Sequence, residues 1–184
     1  MTDPLRPETS AVVAIDLQAK LLAVTQDATR LVEAAGFLLD VADLLGVTKL
    51  ATEQYPQGLG PTTPELAGQL TPLIPSKTQF SAYDVLEPEI ACRPLHAYVL
   101  VGVETHVCVA LTALDLLRRG DTVVIAVDAV GSRRRLDHDT ALRRLEAAGA
   151  TLTTVEAVAF EWLADSTHPQ FKAVSQLVRQ RPVA

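Results

Sequence analysis

Cysteine is scarce in this chain: Cys92 and Cys108 are the only two among 184 residues. They form neither a CxxC motif nor the multi-bridge framework of a small secreted domain, so a special role would fall to one thiol alone. Histidine is equally sparse. His96, His106, His138 and His168 are scattered without metal-ligand spacing, which predicts no metal site. Basic runs are missing as well. The net charge is -6 and the pI is about 5.2, and the short RRR at 133–135 reads as a solvated loop, which argues against a nucleic-acid partner. No apolar segment approaches the ~20 residues that span a bilayer, and the opening MTDPLRPETS lacks the positive-then-apolar order of a signal peptide. No GxGxxG follows the first apolar run, so a dinucleotide cofactor is disfavoured. These absences predict a soluble, cytoplasmic protein without membrane contact or cofactor.

What is present is a repeated grammar. Three helical patterns close on glycine and pass directly into strand-like runs: TRLVEAAGFLLDVADLLG into VTKLAT, TALDLLRRG into DTVVIAVDAV, and TALRRLEAAG into ATLTTVEAV. Gly46, Gly120 and Gly149 suit the left-handed position just past a helix. With SAVVAIDL, HAYVLVGVE and a weaker strand near LIPSKT, six strands alternate with helices. Their near-continuous apolar character suits a parallel sheet covered on both faces. The fold expected is a single α/β domain over residues 1–184: a three-layer, doubly wound sheet of about six mainly parallel strands in Rossmann-like order. The tail HPQFKAVSQLVRQ reads as a last amphipathic helix that packs on the domain or on a partner subunit.

Such sheets bind ligands beyond the carboxyl ends of their strands. The polar residues expected there are Asp16, Glu53 with Gln54, Lys77, the segment Glu104 to Cys108, and Asp128. If Thr105 caps the following helix, Cys108 lies in its first turn, where unpaired N–H groups and the helix dipole lower a thiol pKa. Helical spacing puts Val107, Ala110, Leu111, Leu114 and Leu117 on the core face, with Cys108, Thr112, Asp115 and Arg119 on a polar strip. A second apolar stripe, Val109, Ala113 and Leu116, would then need another partner. Position alone leaves open a plain alternative, that Cys108 is a small buried hydrophobe.

The motifs AVVAIDLQ, KTQFS and VGVETHVCVALTALDLL, in that order and spacing, resemble the isochorismatase-like cysteine hydrolases over nearly the whole chain. TEQYPQGLGPTTPEL is similar to the isochorismatase-domain-containing subgroup. The resemblance implies a catalytic triad of Asp16, Lys77 and Cys108, a cis peptide at Val103–Glu104, and an oxyanion hole from the backbone N–H groups of Glu104 and Cys108. It also implies dimers or larger rings, with loops of a neighbouring subunit helping to close the site. Metal-dependent nicotinamidases of that family carry an Asp and several His after the second strand, where this chain has TEQYPQGLGP. True isochorismatases lack the nucleophilic cysteine.

An Asp, a Lys and a thiol together can perform acyl transfer on the C–N bond of a small-molecule amide. Gln18, Glu53, Gln54, Tyr55, Phe80, Tyr83 and His106 are candidate substrate contacts by position. His106 lies two residues from Cys108, and helical residues two apart face different ways, which disfavours a direct Cys–His pair. Asp128 is expected to organise the AVGSR loop. A non-catalytic binding protein and a thiol redox sensor are the rival classes.

Overall fold

The computed structural model describes residues 4–71 and 73–182; residues 1–3, Pro72 and residues 183–184 of the expected 1–184 span lie outside the described residues. Six strands, β1 (Ser10–Ile15), β2 (Thr48–Gln54), β3 (Ser76–Lys77), β4 (Ala97–Val103), β5 (Thr122–Gly131) and β6 (Thr151–Thr153), form one sheet in the order β3-β2-β1-β4-β5-β6. Every pairing is parallel. The winding reverses between β1 and β4, which makes the crevice beyond their carboxyl ends the place for a ligand.

Every residue of β1 is buried, as a central strand with two covered faces requires. Val12 and Ala14 enter one apolar cluster and Ala11, Val13 and Ile15 the other, because successive side chains point to opposite sides. Helices α1 (Ala19–Leu22), α2 (Ala28–Leu45), α3 (Pro56–Leu59) and α4 (Pro64–Ala67) follow β1 and β2. Those after them are α5 (Tyr83–Ala91), α6 (Ala110–Arg118), α7 (Arg135–Ala147), α8 (Val155–Leu163) and α9 (Phe171–Gln180). The first cluster draws on α2, α8 and α9, the second on α5, α6 and α7. The layers α, β, α thus follow from strand alternation. Gly46, Gly120 and Gly149 have φ of 69°, 87° and 107°, as the three helix-to-strand joints demand.

Two elements differ from the sequence expectation. The strand near LIPSKT shrinks to two residues, since only Glu53 and Gln54 of β2 extend far enough to pair with it. β5 continues past Asp128 to Gly131, through a register shift between Leu100 and Gly102 of β4. Asp128 accepts from Val155 N–H at 2.9 Å and from Arg181 at 3.2 Å, so it anchors the start of α8 rather than the AVGSR loop. The tail helix α9 packs within the chain, with Val174 fully buried. Among the described residues, no helix is long and apolar enough to cross a membrane.

Candidate active site

Asp16 stands one residue past β1 and is fully buried, with φ of 53°. The left-handed region is uncommon for a residue other than glycine, although aspartate tolerates it better than most, and such conformations collect at functional sites. The turn is fixed by Asp16 N–H donating to Thr52 O at 3.1 Å. One carboxylate oxygen accepts from Thr52 Oγ1 at 2.9 Å and the other from Lys77 Nζ at 2.7 Å. The Lys77 ammonium also donates to Gln54 Oε1 at 2.7 Å and to the Phe80 carbonyl at 3.0 Å. Its three protons are therefore placed, and its side chain is only 1% exposed. A buried ion pair costs several kcal/mol of desolvation per ion, so stability is a weak reason for keeping one here.

Cys108 completes the cluster. It is 6% exposed, and its thiol lies close enough to Asp16 and Lys77 to feel both charges. It sits in a π-helical turn, Thr105–Val109, that precedes α6. The cap is Glu104 rather than Thr105, and the turn is one residue wider than an α turn. The Glu104 carbonyl accepts from Val107 N–H at 3.0 Å and from Val109 N–H at 3.3 Å. Cys108 N–H, whose ordinary helical acceptor would be that same carbonyl, is passed over. The Val103–Glu104 peptide is cis.

The expected lowering of the Cys108 pKa is corrected by burial. Desolvation and the Asp16 charge push the thiol up to about 12, with Lys77 opposing them. Burial also raises Asp16 above the ordinary carboxylate range, against the pull of Lys77. The resting site is then a neutral thiol beside an Asp–Lys pair, and a proton moved from sulfur to Asp16 leaves the net charge of the cluster unchanged.

The helix faces are also corrected. Val109, Ala113 and Leu116 are buried, whereas Val107 and Leu114 are half-buried and Leu111 is 36% exposed. Spacing revealed two apolar stripes but could not say which one met the sheet. Cys108 and Thr112 face inward, and the Thr112 hydroxyl donates to Cys108 O at 2.7 Å while accepting from Ala82 N–H at 2.9 Å.

The other candidates divide. Gln18 is fully buried; it donates to the carbonyls of Gln54 and Gly60 and accepts from Gln54 N–H, so it staples three segments and has no face left for a substrate. Glu53 holds Thr62 through its N–H and hydroxyl. Gln54 is spent on Lys77 and on Thr78 O. Tyr83 pairs with Arg119, whose guanidinium lies 5.0 Å from its ring centroid. Arg119 is about 16 Å along the helix from Cys108 at 1.5 Å per residue, so Tyr83 is not at the site. Tyr55 and Phe80 flank the Lys77 region and are 53% and 56% exposed. His106 Nδ1 bonds Ser132 Oγ at 3.0 Å rather than Cys108.

Sequence reasoning missed Thr52, Ser132, Arg133 and His138, which support the cluster from across the sheet and carry no motif. It also missed Gly102, with φ of 121°, where an added Cβ would lie 2.0 Å from Ile15 O. Its place at the head of GVETHVCVAL was the available signal. A hollow of about 1120 Å³ along α2 and α9 is lined by none of Asp16, Lys77 and Cys108. Converging buried ionisable groups mark chemistry better than size does. Among the described residues, no three His, Cys, Asp or Glu side chains converge as a metal site.

Residues 10–157 match the model of the Isochorismatase domain. Isochorismatase domain-containing protein 2 of Bos taurus is 46% identical over 176 residues, 95% of this chain and 85% of that protein. A Caenorhabditis elegans structure described as MAR1 ribonuclease superposes with a TM-score of 0.91 at 36% identity, over 99% of each chain. The Escherichia coli ycaC gene product, described as an octameric hydrolase of unknown specificity, superposes with a TM-score of 0.88 at 27% identity, over 96% of this chain and 90% of that one. With a domain match over most of its length, a relative this similar and a sheet wound in the same way, the chain belongs to the isochorismatase family.

Proposed function

We propose that the protein is a cysteine hydrolase acting on an amide-type C–N bond of a small molecule, with Asp16, Lys77 and Cys108 as its triad. The observation that carries this reading is the buried Asp16–Lys77 pair beside an inward-facing thiol at the switch point of the sheet. Cys108 gives its proton to Asp16 as sulfur attacks the carbonyl carbon, and the carbonyl π pair moves onto oxygen. The N–H groups of Glu104 and Cys108 receive that oxyanion. The intermediate collapses, the C–N bond breaks, and the departing amine takes the proton held by Asp16. Water then attacks the thioester while Asp16 accepts its proton, and the thiolate leaves and is reprotonated as the acid is released. Lys77 keeps Asp16 oriented and balances negative charge throughout. Tyr55, Phe80 and His106 stand at the edge of the site and offer contacts to the substrate.

On this reading the protein works as a homo-oligomer, a dimer or a multiple of one. The half-exposed stripe Val107, Leu111 and Leu114 beside the catalytic turn supports a subunit contact, as does the octameric E. coli relative.

Ammonia release from a panel of primary amides tests the chemistry. The wild-type protein is expected to turn over at least one amide, Cys108→Ala none, and dialysis against a chelator is expected to leave the rate unchanged. Activity that survives Cys108→Ala, or that is lost to the chelator and restored by Zn²⁺, would overturn the mechanism. Cleavage of RNA with no amide turnover would move the function to that of the nematode structure's description.

A further inference from the structure

Three consecutive residues of the catalytic turn are tied by their side chains to one segment across the sheet edge. Glu104 Oε1 accepts from Arg133 N–H and from Arg133 Nε, each at 3.0 Å. Thr105 Oγ1 shares a hydrogen bond of 2.9 Å with His138 Nδ1 on α7. His106 Nδ1 meets Ser132 Oγ at 3.0 Å. Thr105 is fully buried and Ser132 is 2% exposed, so these bonds are not surface accidents. A hollow of about 220 Å³ lined by Asp27, Arg30, Ser132, Arg135 and His138 adjoins these residues.

We propose that His138 is a positioning residue: through Thr105 it holds the π-helical turn so that the Cys108 N–H, passed over by the Glu104 carbonyl, stays aimed at the acyl oxygen. The inference rests on the acyl-transfer reading above. Burial keeps the His138 pKa below its ordinary value, with Asp139 opposing and Arg135 adding to the effect, which favours the neutral ring. A ring protonated at Nε2 accepts the Thr105 hydroxyl proton at Nδ1. Leucine at 138 would fill similar space without the bond. Asparagine presents a side-chain polar atom near the Nδ1 position and restores it.

Two reagents separate positioning from general damage. p-Nitrophenyl acetate transfers its acetyl group to the thiol through a tetrahedral oxyanion, forming the thioester and breaking the ester C–O bond to release p-nitrophenolate. Iodoacetamide alkylates the same sulfur by displacement of iodide and forms no oxyanion. In His138→Leu and Thr105→Val, acetylation of Cys108 is expected to slow about tenfold or more, while alkylation of Cys108 changes less than about twofold. The double variant should be no slower than the worse single one, since both remove one bond. His138→Asn should recover most of the acetylation rate. Should Thr105→Val fail to fold, the Leu and Asn variants of His138 decide the matter alone.

Unchanged acetylation in His138→Leu, or acetylation and alkylation falling together, would overturn the proposal. A wild-type protein that is alkylated but never acetylated at Cys108 would instead remove the acyl-transfer reading, and this inference with it.

Discussion

A thiol at the start of a helix is ordinarily the more acidic for it, yet Cys108 is held protonated by burial and by the Asp16 charge, with its pKa up to about 12. On the proposed mechanism the nucleophile is made only when Asp16 takes the proton, and Asp16 itself is raised by burial. The sign for activity follows: the rate falls as pH drops through the raised Asp16 pKa, because the protonated carboxyl can no longer accept. For the free thiol, alkylation of Cys108 by iodoacetamide should still be climbing above about pH 10, where an ordinary cysteine of pKa ~8.5 has levelled. A plateau below pH 8 would show an activated thiolate and contradict this electrostatic picture. Asp16, Lys77 and Cys108 were legible in the sequence because each follows a recognisable strand or motif. The role of Gln54 was not, because whether an amide meets substrate or Lys77 depends on a β2 to β3 contact that only the fold creates.

At the level of elements, the six strands and their helices could be read from apolar runs and glycine stops, since a central parallel strand has no polar face to confuse the pattern. The π-helical turn could not. Helical spacing assumes one period, which the wider turn at Thr105–Val109 breaks, and it could not tell that the face carrying Cys108 and Thr112 is the one turned inward. Gly102 is the backbone condition for the close approach of β4 to β1 just before that turn. β4 passes so close to the end of β1 that a Cβ would meet Ile15 O, one residue before Asp16. Gly102→Ala should cost about 3 kcal/mol of stability by combining a clash with a disfavoured φ. Urea melts measure it, and an unchanged midpoint would mean that the two strands can part without loss.

For the whole molecule, chain folding covers the inner stripe of the helix after Cys108 and leaves the outer one, Val107, Leu111 and Leu114, partly in solvent. Apolar surface so close to the candidate site is better explained by a neighbouring subunit than by solvent. Light scattering at low micromolar concentration should give a multiple of 19.7 kDa, and Leu111→Glu should shift it toward the monomer. A wild-type monomer would assign the stripe to substrate or to solvent. The proposed chemistry, however, is covalent. The most direct measurement is acid quenching of the protein during turnover of an amide from the panel, followed by peptide mass spectrometry. The acyl group of that amide is expected on Cys108, with Cys92 unmodified; a Cys108 that carries only oxygen, or nothing while product accumulates, would contradict the acyl-enzyme mechanism.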